Sequence, residues 1–452
     1  MKKWFIRVSS AFALIIGLLL ALAYWGLGYS PKYLVNAPAV ATGIGAKLAC
    51  SAKYVSGFNE DKIAVDIKVY SSILALLNYQ YNDEQKSVLA ALGPFARSAS
   101  FHQGVGCYID YDKNDPRKNT VLAPVVAPLA AWPKGDVVFS IDSDIQRKLD
   151  QMLKDDNQKG HDTRALLIVK NGKVVAESYA KNIDASTPLL GWSMTKSVNA
   201  LLIGQLEMLG VLGEADTHLF KEWQDERKNI RLDDLLTMTD GLAYEEEYDP
   251  GQIATKMLFQ SKDTAKFLKQ VKSRYSPGKH FEYSSGTANL LSEIIHQKMV
   301  GSNQQDIVEI YNQFFRPLGM ASVTLETDAK GMMMGSSYMF ASARDWAKIG
   351  QLMLNKGELN GQRFVTQAWV EKSVTPNNSE NKGSYGYQWW LNKGEQNKLW
   401  PSLPDNTYAA LGNREQRLVI VPDEQLVIVR LGWSKGDYIG DANFSTMVSW
   451  FQ

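Results

Sequence analysis

The chain has 452 residues, more than one domain usually holds, so one large domain with an appendage is the starting expectation. Hydrophobic residues make up 45% and charged residues 21%, which argues against long disorder, a collagen-like chain or a polytopic membrane bundle. The net charge is only +1, so the basic excess of a nucleic-acid-binding protein is missing and no nucleic-acid partner is expected.

The N-terminus has the pattern of an export signal. Lys2, Lys3 and Arg7 precede residues 11–28, an uncharged apolar run that would span roughly 27 Å as a helix. Cations before such a run place the N-terminus in the cytoplasm and the rest of the chain outside the membrane. We favour an uncleaved membrane anchor over a cleaved signal peptide, because the apolar run continues past the small residues that would suit cleavage.

Residues 29–135 carry no motif that indicates a chemistry, and we treat them as an accessory segment. Both cysteines of the chain, Cys50 and Cys107, lie here. Two cysteines are too few for a four-thiolate zinc site, and the five histidines are scattered, so no metal or cofactor is predicted. In an oxidising compartment we expect a disulfide between them, which would close a loop of about 57 residues and contribute roughly 4 kcal/mol.

The remaining residues, 136–452, are enough for one compact α/β domain. Asn-Gly at 171–172 joins two β-rich runs, 165–170 and 174–179, and favours a type I′ hairpin turn. A second hairpin is predicted from the runs 417–421 and 425–431. Between the hairpins the pattern is helical, at 193–209, 231–238, 263–271, 288–299 and 341–354. The sequence therefore predicts an antiparallel sheet flanked by helices, an α/β (α+β) class, in which the first and last strands are neighbours.

The strongest chemical signal is Ser193 followed by Lys196. Ser-x-x-Lys alone is weak, because it begins four times in this chain, at residues 178, 193, 276 and 379. Only Ser193 opens a long apolar helix, and a spacing of three places the Lys196 ammonium one turn from the serine hydroxyl. The helix start also offers N–H groups to a developing oxyanion. The alternative is that Ser193 only caps the helix.

A second segment places Tyr283 just before a predicted helix, after the turn Pro277-Gly278. A phenol, with a pKa near 10, becomes a usable base only if a cation lowers that pKa. Lys196 would do so if folding brings the two side chains together. The alternative is a packed aromatic residue.

Four segments in this order resemble the serine β-lactamase-related family: residues 192–197 (WSMTKS), 235–242 (LLTMTDGL), 277–285 (PGKHFEYSS) and 341–346 (ASARDW). The resemblance covers about residues 160–435 and implies the fold of class C β-lactamases and penicillin-binding proteins, which adds an all-helical subdomain to the sheet. Together with the N-terminal pattern and the motif-free segment, it gives a division into residues 1–28, 29–135 and 136–452. The bacterial cell envelope then becomes the expected location, with the domain in the periplasm on an inner-membrane anchor, or secreted.

The resemblance also implies roles for individual residues. Ser193 is expected to be the nucleophile, Lys196 its activating partner, and Tyr283 the base that later protonates the leaving group. Ser285 stands where the family's Tyr-x-Asn motif has asparagine, and it is the expected substrate-binding residue at this position.

The family's third motif, Lys-Thr-Gly or His-Thr-Gly, does not occur literally. The nearest match is residues 408–413 (YAALGN), which resembles the 6-aminohexanoate-dimer hydrolase and esterase branch. Gly412 would allow the backbone to approach a substrate, and the N–H of Asn413 would complete an oxyanion hole with that of Ser193. The alternative is a strand end with a turn glycine. Arg414 would replace the missing cation only if it turned inward.

Without that cation a β-lactam carboxylate lacks a partner. The prediction is a serine hydrolase that acts through an acyl-enzyme on small-molecule esters or linear amides. A non-catalytic, membrane-tethered protein that binds or senses cell-wall peptides is the alternative, and a true β-lactamase or D,D-peptidase also stays open. An α/β-hydrolase and a metallohydrolase are disfavoured, because Gly-x-Ser-x-Gly and clustered histidines are missing. The oligomeric state cannot be read from this sequence.

Overall fold

The computed structural model describes residues 30–112, 128–300, 306–394 and 398–452. The predicted membrane segment, residues 11–28, lies outside this part of the chain. Within the described residues, no helix combines the length and the apolar character needed to cross a bilayer.

The accessory segment folds as two helices and a four-stranded sheet. Its elements are α1 Pro31–Tyr54, α2 Glu60–Tyr70, β1 Asn78–Asn82, β2 Ser87–Leu92, β3 Phe95–His102 and β4 Gly106–Ile109. The four strands pair antiparallel in chain order. Small side chains of α1, such as Ala46 and Ala49, pack against Val88 and Ala90 of the sheet. The expected disulfide between Cys50 and Cys107 is present and ties α1 to β4.

The rest of the chain supplies eleven strands and ten helices within the described residues. The strands are β5 Thr163–Lys170, β6 Lys173–Tyr179, β7 Leu189–Leu190, β8 Thr324–Leu325, β9 Met339–Ala341, β10 Glu358–Leu359, β11 Gln362–Arg363, β12 Trp390–Leu391, β13 Tyr408–Gly412, β14 Gln416–Val421 and β15 Leu426–Gly432. The helices are α3 Ser143–Gln158, α4 Met194–Met208, α5 Leu232–Leu236, α6 Ile253–Phe259, α7 Thr264–Leu268, α8 Ser285–Val300, α9 Asp306–Ile310, α10 Ala343–Leu354, α11 Gln367–Ser373 and α12 Gly440–Ser449.

The main sheet has six antiparallel strands in the order β12-β13-β14-β15-β5-β6. Both predicted hairpins are present, as β5–β6 and β14–β15, and β15 pairs with β5. Asn171 and Gly172 have φ values of 50° and 74°, which is what a type I′ turn requires. The prediction that the first and last strands are neighbours is therefore confirmed.

Side chains of the sheet alternate between two hydrophobic clusters. Leu166 and Ile168 of β5 join one cluster with residues of α3 and α12, while Leu167 and Val169 join another with residues of α4 and α10. A strand that is buried on both faces reads as a continuous apolar run, which is why 165–169 lacks polar positions. Full burial of each such side chain contributes about 1.5–3 kcal/mol. This packing fixes α4, the helix behind Ser193, against the sheet.

A buried carboxylate attaches the accessory segment to the main domain. Glu326, just after β8, pairs with the Lys47 ammonium of α1. It also accepts hydrogen bonds from Ser51 Oγ at 2.8 Å and from the Cys107 backbone N–H at 2.7 Å. Burial raises the pKa of Glu326 and lowers the pKa of Lys47, and the attraction between the two charges opposes both shifts. All three partners come from the accessory segment, so this one carboxylate contributes three of the contacts that hold the segment in place.

Replacing Glu326 with Gln should destabilise the protein by about 3–5 kcal/mol, because Lys47 would keep a buried charge without a counter-charge. Urea denaturation measures the loss. Glu60→Gln is the matched control, since its pair with Lys53 is at the surface and is worth about 1 kcal/mol or less. Equal, small losses in both variants would contradict this account of the junction.

Candidate active site

Ser193 stands at the first turn of α4, where the chain passes from β7 into the helix. The preceding residue, Trp192, has a φ of 49°, a left-handed value that bulky residues rarely adopt. Ser193 occupies the N-cap position, yet its side chain makes no capping hydrogen bond. Instead its Oγ accepts a hydrogen bond from Lys196 Nζ at 3.0 Å. The geometry favours a reactive hydroxyl over the capping alternative.

Lys196 is 1% exposed and donates three hydrogen bonds. Its acceptors are Ser193 Oγ and Ser285 Oγ, each at 3.0 Å, and the Ser336 carbonyl oxygen at 2.9 Å. Burial lowers the pKa of Lys196 to about 8, and the negative charge of Glu246 opposes a larger fall. A usable fraction of the amine is therefore neutral near physiological pH and able to accept a proton from Ser193.

Tyr283 lies beside the same hydroxyl, with its ring 5.3 Å from that of Trp390 and 6.0 Å from that of Tyr385. The predicted lowering of its pKa by Lys196 is wrong. Lys196 Nζ faces the ring, 4.8 Å from its centroid, and burial raises the pKa of Tyr283 by more than its hydrogen bond with Ser193 lowers it. Tyr283 is therefore a protonated phenol in the resting site, suited to donate a proton.

Ser285 begins α8 and is fully buried. Its N–H donates to Glu246 Oε2 at 2.7 Å, and its hydroxyl donates to Oε1 of the same carboxylate while accepting from Lys196. Tyr248 OH also donates to Glu246 Oε1, at 2.6 Å. Ser285 thus lies beneath the pocket, as a bridge between ammonium and carboxylate, and is not among the described lining residues.

Glu246 was missed by the sequence reasoning. It lies in the acidic run 245–247, directly after the motif at 235–242. That position was an available signal, but acidic runs are usually solvated surface. Only the folded chain shows that this carboxylate turns toward Ser285 and Lys196.

A pocket of about 330 Å³ opens over Ser193. Its described lining consists of Tyr70, Trp192, Ser193, Glu246, Tyr248, Leu258, Phe259, Tyr283, Ser337, Trp390, Leu411, Gly412 and Asn413. The sequence left open whether the pair 389–390 lines a pocket or belongs to the core. The two residues differ in the structure: Trp389 is fully buried, and Trp390 lines the pocket. Glu246 is the one charged residue among these described lining residues.

Gly412 and Asn413 both line the pocket, at the end of β13. A Cβ on Gly412 would lie 2.1 Å from the Gly191 carbonyl oxygen, so only glycine allows this strand to reach the turn that carries Ser193. The glycine is thus required by the approach of one backbone segment to another. The oxyanion hole formed by the N–H groups of Ser193 and Asn413 stays a prediction.

Arg414 turns away from the pocket. Its guanidinium donates to the Tyr70 carbonyl oxygen at 2.7 Å and to the Ser434 carbonyl oxygen at 3.3 Å, and it lies 4.8 Å from the centroid of the Tyr70 ring. Tyr70, the last residue of α2, in turn stacks on Trp192 with ring centroids 5.8 Å apart. Sequence reasoning missed Tyr70, because nothing in residues 29–135 marks it as part of a site.

Comparisons with known proteins agree with this geometry. A family model described as Beta-lactamase matches residues 145–437. The 6-aminohexanoate-dimer hydrolase of Paenarthrobacter ureafaciens is 24% identical over 303 residues, covering 61% of this chain and 74% of that protein. Protein flp of Staphylococcus aureus (strain COL) is 28% identical over 308 residues, covering 58% of this chain and 59% of that protein, less than two thirds of its length.

Among solved structures, a penicillin-binding protein homologue from Caulobacter crescentus superimposes with a TM-score of 0.54 at 15% identity. The match covers 69% of this chain and 98% of that chain, and at this identity it shows the fold alone. The family model, in contrast, spans more than half of the chain and includes Ser193, Lys196 and Tyr283. This protein therefore belongs to the Beta-lactamase family, with the β-lactamase/transpeptidase-like fold that its motifs predicted.

Proposed function

We propose that this protein is a serine hydrolase that forms an acyl-enzyme on Ser193 and cleaves esters or linear amides. The observation that carries the proposal is the buried Lys196 ammonium, 3.0 Å from Ser193 Oγ and with a pKa lowered to about 8. The relative named 6-aminohexanoate-dimer hydrolase supports action on a linear amide. A non-catalytic binding protein would have no need of a buried lysine held against a serine hydroxyl.

The proposed reaction begins with the neutral form of Lys196. It accepts the Ser193 hydroxyl proton while Oγ attacks the substrate carbonyl carbon, and the N–H groups of Ser193 and Asn413 stabilise the oxyanion. Tyr283, which is protonated, donates its proton to the departing oxygen or nitrogen. The proton that Lys196 took from Ser193 then passes to the phenolate, so both groups return to their starting forms. A water molecule then hydrolyses the acyl-enzyme by the same groups in reverse.

The charges around the pocket favour neutral substrates over β-lactams. Glu246 is the one charge on the described lining, and Arg414 is engaged by the Tyr70 carbonyl oxygen. An anionic group in the catalytic pocket would meet a carboxylate and, among that pocket's described lining residues, no cation, which disfavours the β-lactamase and D,D-peptidase alternatives.

We also propose that residues 1–28 anchor the protein in the inner membrane of a bacterium, with the hydrolase in the periplasm. The proposal rests on the cations Lys2, Lys3 and Arg7 before the apolar run. The bond between Cys50 and Cys107 supports it, because disulfides persist in oxidising compartments.

Ser193→Ala should abolish nearly all turnover of a p-nitrophenyl ester, leaving only the contribution of binding and the oxyanion hole. Lys196→Ala and Tyr283→Phe should each lower kcat by several orders of magnitude, and the double variant by little more, because the residues act as a unit. Mass spectrometry should locate a fluorophosphonate label on Ser193. Ser379→Ala, in a polar loop, is the control and should keep full activity. A Ser193→Ala protein that keeps its activity would contradict the proposal.

The dependence of kcat/KM on pH should report the protonation state of Lys196. Because the base must be neutral and its pKa is about 8, kcat/KM should rise with pH through a limb near 8. Glu246→Gln removes the anion that favours the ammonium, so the limb should move to lower pH. Glu245→Gln is the matched control, since that carboxylate pairs with Arg274 at the surface and should leave the limb in place. A limb that stays fixed in Glu246→Gln would contradict the electrostatic argument.

Substrate preference should follow pocket charge. A β-lactam carboxylate without a cation forgoes a charge-assisted hydrogen bond of roughly 1.5–3 kcal/mol, about 10- to 150-fold in binding. Values of kcat/KM for p-nitrophenyl butyrate, a linear amide and nitrocefin, measured on one preparation, should favour the first two. A clear preference for nitrocefin would identify a β-lactamase instead.

Protein purified without reductant should show no titratable thiol after denaturation, because Cys50 and Cys107 are bonded to each other. In the full chain, alkaline phosphatase fused to the C-terminus should be active, since this enzyme needs an oxidising compartment for its own disulfides. Two free thiols, or a fusion that is inactive although expressed, would contradict export.

A further inference from the structure

A second cavity, of about 300 Å³, adjoins the catalytic pocket. One wall is a single face of α1, formed by Tyr33, Ala37, Val40, Ala41 and Ile44. These positions follow the helical spacing of three and four residues, so the face presents mainly apolar side chains to the cavity. The turn after α2 adds Ile73 and Leu74.

The two cavities lie side by side and share three lining residues, Tyr70, Tyr248 and Asn413. The family match begins at residue 145, so the wall formed by α1 and by the end of α2 comes from outside the matched domain. The accessory segment, for which the sequence indicated no role, thus extends the site beyond what the family domain supplies.

The charged residues on the described lining of the second cavity are Arg414 and Asp249, of which Asp249 is exposed to solvent. The other polar groups named here are engaged within the protein. Arg414 donates to the Tyr70 and Ser434 carbonyl oxygens, and Asn413 Oδ1 accepts from the Arg414 N–H at 2.8 Å. Thr255 Oγ1 donates to the Asp249 carbonyl oxygen at 2.9 Å. A ligand in this space therefore gains chiefly by covering apolar surface.

We infer that this cavity is a subsite for an unbranched aliphatic acyl chain of the substrate, an inference that rests on the proposed hydrolase function. The leaving group must reach Tyr283, which lines the catalytic pocket and is not among the described residues of the second cavity. The acyl part is then the one that extends past Tyr70 and Asn413. The substrate class becomes esters or amides of medium-chain fatty acids.

A chain-length series tests the subsite. Each methylene that is fully buried is worth up to about fourfold in binding, from roughly 0.8 kcal/mol. The full-length protein should therefore hydrolyse p-nitrophenyl octanoate with a kcat/KM at least tenfold above that for p-nitrophenyl acetate. A flat or falling series would overturn the subsite.

Two variants separate the subsite from the catalytic groups. Ala37→Phe fills the cavity and should lower kcat/KM for the octanoate ester at least tenfold, while the acetate ester changes less than twofold. Val35→Phe, on the same helix but with Val35 73% exposed and outside the described lining, is the matched control and should change neither value. Equal losses on both esters in Ala37→Phe would overturn the inference.

Ile73→Ala keeps the test decisive if Ala37→Phe does not fold, because Ile73 is 40% exposed at the edge of the cavity and tolerates truncation. It should lower the octanoate value at least threefold and leave the acetate value unchanged; unchanged values for both esters would overturn the subsite. If Ser193 is labelled and the esters are hydrolysed, but kcat/KM does not rise with chain length, the subsite is refuted and the proposed hydrolase function stands. No labelling of Ser193 and no ester hydrolysis refutes the hydrolase itself.

Discussion

The buried Glu326 carboxylate is the contact on which the shape of the site depends. A charge with no access to water is tolerated only when donors surround it, and Lys47, Ser51 and Cys107 supply those donors from the accessory segment. α1 and β4 are thereby fixed against the main domain. α2 follows α1 and is itself held by the ion pair of Asp66 with Arg164 and by the bond from Trp433 Nε1–H to the Asp66 carbonyl oxygen. Tyr70 therefore lies beside Trp192, and a segment outside the family match becomes a wall of the catalytic pocket.

The position of Tyr70 has an electrostatic consequence for the pocket. Its carbonyl oxygen and ring hold the Arg414 guanidinium, the nearest cation in sequence to the third motif. The arginine that would have offered an anion site therefore stabilises the junction with the accessory segment instead. The charged residue on the described lining of the catalytic pocket is then Glu246, which is the basis for proposing a neutral rather than an anionic substrate.

The parts of the fold and of the site that could be predicted from the sequence are those set by local sequence patterns. Asn171-Gly172 fixes a turn through its own backbone preferences, and a spacing of three on a helix brings Lys196 to Ser193 in any environment. Other parts depend on contacts between distant segments. Lys47 and Glu326 are 279 residues apart, and neither is marked by its neighbours in sequence. The pKa of Tyr283 was predicted in the wrong direction for the same reason, since burial is a property of the folded chain.

Ser285 connects the two charged side chains of the site. Its hydroxyl accepts a hydrogen bond from Lys196 and donates one to Glu246, so a single short side chain links ammonium to carboxylate. Burial alone would lower the pKa of Lys196 further, and Glu246 limits that fall to a value of about 8. The strength of the proposed base is thus set by a balance between desolvation of the Lys196 ammonium and the charge of one carboxylate, Glu246, which also lines the pocket that a substrate would occupy.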